Sequence, residues 1–514
     1  MLRLLQNKNF LLVLLVLISL FSIIPLFHKG FFLSDDGEWM VIRFSAFHQA
    51  LTFGQFPVRF LPRLNFGYGY SVANFLYPGF MYLAEIPKLL KISFVDSIKI
   101  VLGVSMVSSL IFCFLWLSKI FDKTAAFFGA LFFLYSPYHF YDLYKRGSVG
   151  EILALSVIPF VLWQIEREDL LWSSLGFGFL LISHNTLALL FTPLIILYMG
   201  INLYVSKNKT KLKKKYAKMF LFGFGISAFF WIPAIFDLSS TVFSKTQVSD
   251  WADHFADINL AGIVSLLIAI AIILFFVLGK LKIKEHRLTA LFLLVGVFSL
   301  FLSLSLSSPL WKILPVSFIQ FPFRFLSLTI ISTSFLGACL VCILPKNVKV
   351  AAGVVIFLLS IYFSRNYMSP SVYFDKGDGF YATNQDTTTV KNEYMPKWVT
   401  VLPKSLPQQK LVALGGVINS QRVHPNNFLI SIVGPSTLTI NTIYFPGWRA
   451  IIDSQALPIQ YNNPNGVMQI SVPSGVHQIR VWFGETPLRL VADGVSVMSL
   501  LALLAVTLKK KYEA

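Results

Sequence analysis

Acidic residues are scarce: 24 Asp and Glu stand against 43 Lys and Arg in 514 residues. Charged residues together make up 13% of the chain and hydrophobic ones 56%. Several uncharged runs reach the roughly 18 residues that span a bilayer. The composition therefore excludes an ordinary soluble domain and points to a polytopic α-helical membrane protein. Cysteine is nearly absent. Cys113, Cys339 and Cys342 all lie in apolar runs, which excludes a disulfide framework. Cys339 and Cys342 have C-x-x-C spacing but no partner pair to complete a metal site, so they read as small apolar residues of one helix. The eight histidines are scattered, with no His-x-His grouping that would suggest zinc. The net charge of +19 does not imply nucleic acid as a partner. The basic residues sit in short loops between apolar runs, where they set membrane topology.

The basic start, 1–8, places the N-terminus in the cytoplasm, and residues 10–27 cross outward. No small-residue cleavage site follows, so this reads as a retained first span. Residues 71–90 decide the parity of all later segments. They are apolar, but Pro78, Glu85 and Pro87 interrupt them. If they crossed, the seven lysines from Lys207 to Lys218, and Lys280, Lys282, Lys284, Arg287 and Lys509 to Lys511, would face outward. Read as interfacial or re-entrant, they leave these cations in the cytoplasm. The spans then fall at 98–117, 124–138, 149–165, 170–183, 186–205, 219–236, 258–278, 288–306, 325–344, 348–364 and 488–508. With the first span that gives about twelve transmembrane helices in a cell membrane, both termini inside. The expected domains are a transmembrane part, 1–364, with a first outer loop at 28–97; an extracytoplasmic part, 365–487; and a terminal helix with a basic tail, 488–514. In the second part, apolar residues alternate over 427–433, 437–443, 467–472 and 477–482, which predicts a small β-rich domain before the last helix. Tyr444-Phe445-Pro446-Gly447-Trp448 reads as a strand-ending turn, with a carbohydrate-stacking Trp448 as the alternative. The irregular stretch 367–398 is expected to fold back over the membrane site, with Glu393 and Tyr394 reaching the site from this outer loop.

With this topology the polar motifs collect on the outer side. Ser34-Asp35-Asp36-Gly37-Glu38 puts three acids within four positions of an acid-poor chain. Ser34 or Asp35 is suited to cap a short helix. The functional alternative is a carboxylate cluster that takes a proton from a hydroxyl or holds a divalent metal such as Mg or Mn. Arg59, Arg63, Arg146 and Arg324 are candidates for phosphate, since a guanidinium grips it bidentately; snorkelling to lipid headgroups is the alternative for each. His184 and Asn185 suit either sugar hydroxyls or a helix cap. Gln320 and Pro322 fix the segment that carries Arg324.

Several segments, taken in order, carry a likeness. They are Ser136-Pro137-Tyr138, Tyr144-Lys145-Arg146-Gly147-Ser148-Val149-Gly150-Glu151, Ser183-His184-Asn185, Phe230-Trp231-Ile232-Pro233 and Ile319-Gln320-Phe321-Pro322-Phe323-Arg324-Phe325. With the double acid after the first span, the chain resembles the GT-C superfamily, membrane glycosyltransferases that use polyprenyl-phosphate-linked sugars. It is more closely similar to the membrane family labelled "6-pyruvoyl-tetrahydropterin synthase-related". The late turn, strand pair and terminal span are similar to YfhO-type proteins. The pterin label implies no pterin chemistry here, because the clustered histidines that it needs are missing.

The resemblance implies that Asp35 or Asp36, with Asp36 preferred, is the catalytic base or a metal ligand. It implies Glu151 as a second acid, although Gly150-Glu151 departs from the family's commoner aspartate. The expected substrates are a polyprenyl-phosphate-linked sugar donor and an extracytoplasmic glycan or glycolipid acceptor, joined by single displacement beside the lipid bilayer. The rivals are a lipid-linked sugar transporter or flippase and a non-catalytic envelope assembly protein. Five expected spans, from 186–205 to 325–344, carry no charge, whereas carriers often place ionisable groups at mid-membrane.

Overall fold

The computed structural model describes residues 7–243, 251–283, 286–313 and 319–512. Arg3 and Lys284, two of the cations that set the expected topology, lie outside the described residues. The chain is mostly helical. Among the described residues, six helices are long and apolar enough to cross a membrane: Lys8–Phe27, Phe94–Leu117, Val149–Glu166, Asn185–Val205, Pro322–Ile343 and Pro487–Lys509. A bent pair, Lys209–Ile226 and Ala228–Ser240, makes a seventh if it is one span. Five shorter apolar helices, Lys123–Leu134, Leu170–Ser183, Ile263–Val277, Arg287–Ser303 and Lys349–Ser364, stand where further spans are expected. The stretch 71–90 holds a 3-10 turn, Ser71–Asn74, and an eleven-residue helix, Gly79–Leu89. At 1.5 Å per residue this helix is about 16 Å long, roughly half the hydrocarbon core.

The two ends of the helices differ in kind. At one end lie lysine-rich connections, where Lys215 pairs with Glu168 and Lys349 with Asp122. At the other end the chain builds the polar segments and a six-stranded sheet. The sheet order is Leu411–Leu414, Asn427–Ile443, Val467–Phe483, Trp448–Ile452 and Gln455–Leu457, with Val417–His424 also paired to Asn427–Ile443. Its two long strands run antiparallel, with Ile430 opposite Ile479 and Leu438 opposite Ile470. Alternating residues bury one face: Phe428, Ile430, Ile432, Met468, Ile470 and Val481 are all closed to solvent. Trp448 lies in this core at 4% exposure, in edge contact with Phe60 and Phe483. The sugar-stacking alternative for Trp448 is therefore overturned: its ring is a core side chain.

The segment after the first helix knits the two parts together. Phe31–Phe32 pairs antiparallel with Tyr373–Phe374. Phe60 stacks on Phe483 at 5.3 Å, and Lys410 donates to the carbonyls of Gly67 and Asn441.

The chain bends by 65° at Ser227, and the helix beyond the bend leaves backbone groups that need partners. Pro233 has no N–H, so the Phe229 carbonyl four residues earlier loses its helical donor. Arg59 supplies one: its Nη1 donates to Phe229 O at 2.6 Å. Ser496 Oγ accepts from the Phe229 N–H at 2.7 Å. Arg59 also pairs with Glu485 at 3.2 Å and Asp493 at 2.8 Å. Beside it, Arg489 pairs with Asp237 and donates to Pro446 O, and Asn74 donates to the same aspartate. A broken helix at membrane depth is tolerated only when its freed backbone groups find such partners.

Replacing Arg59 by alanine should leave two half-shielded carboxylates without their cation and a carbonyl without its donor. The expected cost is about 3 kcal/mol, the low end for breaking a buried ion pair. It should appear as a fall of several degrees in the thermal midpoint of the detergent-purified protein, partly restored by Arg59→Lys. An unchanged midpoint would show that the network adds no stability.

Candidate functional site

The site forms where Gly37–Thr52, Tyr141–Arg146, Val149–Glu166, the turn at His184 and the segment 319–325 converge. Its centre is Glu151, at the start of Val149–Glu166 and fully buried. Its Oε1 accepts from Arg146 Nη1 at 2.5 Å and from Arg324 Nε at 2.9 Å. Its Oε2 accepts from the Tyr138 hydroxyl at 3.1 Å. Both oxygens are therefore engaged, and Glu151 is a holder of arginines. A second acid with a free oxygen, the reading implied by the resemblance, does not fit this geometry.

Arg146 also pairs with Asp142 at 2.9 Å and Asp36 at 3.3 Å. Asp142, with no exposure, has its carboxyl pushed well above the ordinary range by burial and then by the charge of Glu151. Arg146 and Arg324 thus face a set of three acids, Glu151, Asp142 and Asp36. The aromatic rings of the 319–325 segment complete the clamp. Phe321 and Phe323 stack at 5.3 Å, with Arg324 over Phe321 at 4.8 Å and Arg146 over Phe323 at 5.0 Å. Gln320 takes a left-handed φ of 67°, unusual for a side chain of its size. Its Oε1 accepts from Arg324 Nη1 at 2.9 Å, and the Ile319 carbonyl accepts from the same nitrogen. No described residue takes Nη2 of Arg324.

Two glycines let the backbone close around this cluster. Gly147 has a φ of 65°, and a Cβ there would lie 2.5 Å from Ser34 Oγ and 2.8 Å from Gly37 Cα. A Cβ on Gly150 would meet the Tyr77 ring at 2.0 Å. The turn can thus press against the acid segment, where the Asp35 N–H donates to Lys145 O and the Asp36 N–H to Arg146 O. The expected cap by Ser34 or Asp35 is not formed. Asp36 holds the N-cap position of Gly37–Thr52, with no side-chain cap bond. Its backbone is near helical there, and its carboxylate turns to Arg146, leaving it on the wall of the site.

That wall encloses a cavity of about 530 Å³. Seven of the residues singled out in the sequence line it: Asp36, His184, Asn185, Gln320, Arg324, Glu393 and Tyr394. Glu151 and Arg146 stand directly behind. Asp35 does not line it, and burial raises its carboxyl above the ordinary value. His184 Nδ1 accepts from the Leu187 N–H, so it caps Asn185–Val205 and leaves the proton on Nε2. Burial lowers its pKa to about 3, so its contact with Glu151 at 3.6 Å is that of a neutral ring. Asn185 donates to Phe75 O.

The expectation of phosphate at Arg59 and Arg63 is corrected. Arg59 is engaged in the network at the helix break. Arg63 donates to Ala382 O, Tyr381 O and Ser45 Oγ, tying Gly37–Thr52 to 381–382. In their place stands Arg43, which lines the cavity and whose guanidinium bonds Thr388 through Oγ1 and the carbonyl. Arg43 sits seven residues after Asp36, two helical turns along the same face, the one signal that sequence offers for it. Asp142 was equally legible as an i,i+4 partner of Arg146. His254 and Lys391 also line the cavity, from segments with no distinctive pattern.

A divalent metal fits this arrangement poorly. Among the described residues no group of three or more His, Cys, Asp or Glu side chains could hold one. Asp36, the only acid of the Asp35–Asp36 pair on the cavity wall, already faces the Arg146 guanidinium.

No family model and no curated protein matches the chain. Solved structures do. The oligosaccharyltransferase of Archaeoglobus fulgidus, in complex with Zn and sulfate, is 16% identical with a TM-score of 0.44, over 71% of this chain and 54% of that one. The archaeal oligosaccharyltransferase AglB from the same organism, in complex with an inhibitory peptide and a dolichol-phosphate, is 14% identical with a TM-score of 0.41, over 73% and 56%. The arabinofuranosyltransferase AftD from Mycobacteria is 14% identical with a TM-score of 0.46, over 72% and 28%. The chain thus spans about half the length of the two oligosaccharyltransferases that it resembles.

Proposed function

We propose that this protein is a membrane glycosyltransferase that moves a sugar from a polyprenyl-phosphate donor to an extracytoplasmic glycan or glycolipid. The observation that carries the proposal is the pairing, on one cavity wall, of an accessible carboxylate with an arginine held by a buried acid. Asp36 is 34% exposed, while Arg324 is fixed through Nε and Nη1 and keeps Nη2 for a ligand. Single displacement needs these two functions. Asp36 takes the proton of the acceptor hydroxyl as its oxygen bonds to the anomeric carbon. The bond from that carbon to the phosphate oxygen breaks, and the charge left on polyprenyl phosphate is met by Arg324, while Arg43, engaged by Thr388 and Met40, adds positive charge to the cavity wall. No step is routed through a metal.

An apolar groove of about 720 Å³ supports the lipid part of the reading. It runs between Gly79–Leu89, Phe94–Leu117, Val149–Glu166 and Leu170–Ser183. Ile86, Val104 and Trp172 on its rim are each about half exposed or more, as suits a surface that meets lipid tails. Leu153, which lines it, is two residues beyond Glu151 on the same helix. We place the β-sheet and the cavity outside the cell membrane and the lysine-rich connections in the cytoplasm, in keeping with the positive-inside rule.

The test is sugar transfer by purified protein from a panel of short-chain polyprenyl-phosphate sugars. Asp36→Asn should lower kcat by roughly a hundredfold or more, the worth of a general base, while Asp35→Asn stays within a few-fold of wild type. Arg324→Lys keeps the charge but loses the planar fork. It should raise the donor KM by about tenfold, the equivalent of one charge-assisted hydrogen bond. If wild type consumes no donor under varied acceptors, or if both aspartate variants match it, the enzymatic reading fails and transport or envelope assembly replaces it.

A further inference from the structure

One carboxylate in the cavity has no counterpart. Glu393 lines the wall opposite in kind to the arginines, on the strap 388–395 that folds back from the sheet side. No hydrogen bond or ion pair from a described residue reaches its carboxylate, and its Oε2 is shielded from solvent. A half-desolvated carboxylate without a donor is costly, so its surroundings must hold it there.

They do. The Tyr394 ring lies between Phe75 at 5.1 Å and Phe243 at 5.7 Å, stacked on both. The Tyr394 N–H donates to the Tyr70 hydroxyl, and its carbonyl accepts from Ser71 Oγ. Upstream, Thr389 bonds the same Tyr70 hydroxyl, and Arg43 grips Thr388. Asn392 takes a left-handed φ of 52° and its carbonyl accepts from the Met395 N–H, closing a tight turn around Glu393. The strap is thus pinned on both sides of a side chain that no described residue satisfies.

We propose that Glu393 binds the acceptor, through two neighbouring hydroxyls of a neutral sugar. This rests on the glycosyltransferase reading of the same site. A carboxylate only accepts hydrogen bonds, so its ligand must donate, and vicinal hydroxyls match its two oxygens. The charge around it narrows the class. Arg43, Arg324 and Lys391 line the same cavity, which disfavours an ammonium group. Glu393 itself repels a phosphate or uronic acid. A neutral diol satisfies both conditions, and the same repulsion turns the donor phosphate to the arginine side. Glu393 is a binding residue in this scheme, and the proton still goes to Asp36.

The test compares wild type with Glu393→Gln and Glu393→Asp on a fixed polyprenyl-phosphate sugar donor. The acceptors are a neutral glycoside, its deoxy analogue lacking one of the paired hydroxyls, and the matching amino sugar. Glu393→Gln should raise the acceptor KM for the neutral glycoside by about tenfold, as one charged hydrogen bond is worth. The donor KM should not rise, and donor hydrolysis without acceptor should not fall. With the deoxy analogue the gap between wild type and variant should close, and Glu393→Asp should restore part of it. An unchanged acceptor KM, an equal loss on glycoside and deoxy analogue, or preference for the amino sugar would overturn the assignment while leaving the glycosyltransferase reading intact. Failure of wild type to bind or consume donor overturns both. Thermal midpoints of the variants, expected to match wild type, separate loss of binding from loss of folding.

Discussion

A single carboxylate with no exposure to solvent, Glu151, fixes the geometry of everything around it. Burying a charge is costly unless it is paired and hydrogen-bonded. Glu151 meets that condition with two guanidiniums and a phenol, and in doing so sets their positions. Arg146 is drawn to the buried side, where Asp142 and Asp36 also meet it, and Arg324 is left with one edge toward the cavity. The two glycines of the 146–151 segment follow from the same constraint. Without Gly147 the turn could not approach the acid segment closely enough for Asp36 to reach Arg146, and without Gly150 the helix start could not pack on Tyr77.

A second buried network solves a different problem with the same residue type. At the bend near Ser227 the freed backbone needs a donor, and Arg59 supplies it while bringing Glu485 and Asp493 with it. Arginine suits both places because its planar fork reaches several acceptors at once. Sequence alone cannot separate the two uses. Arg59, Arg63 and Arg324 are all arginines in polar segments between apolar runs. What distinguishes them is the number of donors already taken, a property of the folded chain.

The fold was legible where periodicity and length speak. Long uncharged runs announced the helices, and alternation over 427–443 and 467–482 announced the sheet. The bend at Ser227 was not foreseen, although Gly223, Gly225 and Pro233 were in view, because apolar length masked the break. Trp448 was read two ways for a related reason. A tryptophan in a turn looks the same whether its ring faces solvent or, as here, the Phe60 and Phe483 rings. At the site, the acids were found by their scarcity. Asp142 and Arg43 were missed, although each stands at helical spacing from a residue already chosen. Glu393 lies about 360 residues from Asp36, and only the strap's return brings it to the same cavity.

That return has an electrostatic consequence. The cavity wall carries Arg324 and Arg43 and, on the strap, an acid that no described residue pairs. A cavity meant to hold one anion has no use for such an acid, since it would weaken the field that attracts the anion. A cavity that must admit an anionic group and a neutral hydroxyl compound in a fixed relation does. The acid excludes the anion from the second position and offers a hydrogen-bond acceptor to what belongs there. An alternating-access carrier with a single substrate site gains nothing from this division. The proposed transfer between two different molecules depends on it, and this is how the Glu393 carboxylate supports that proposal over passage.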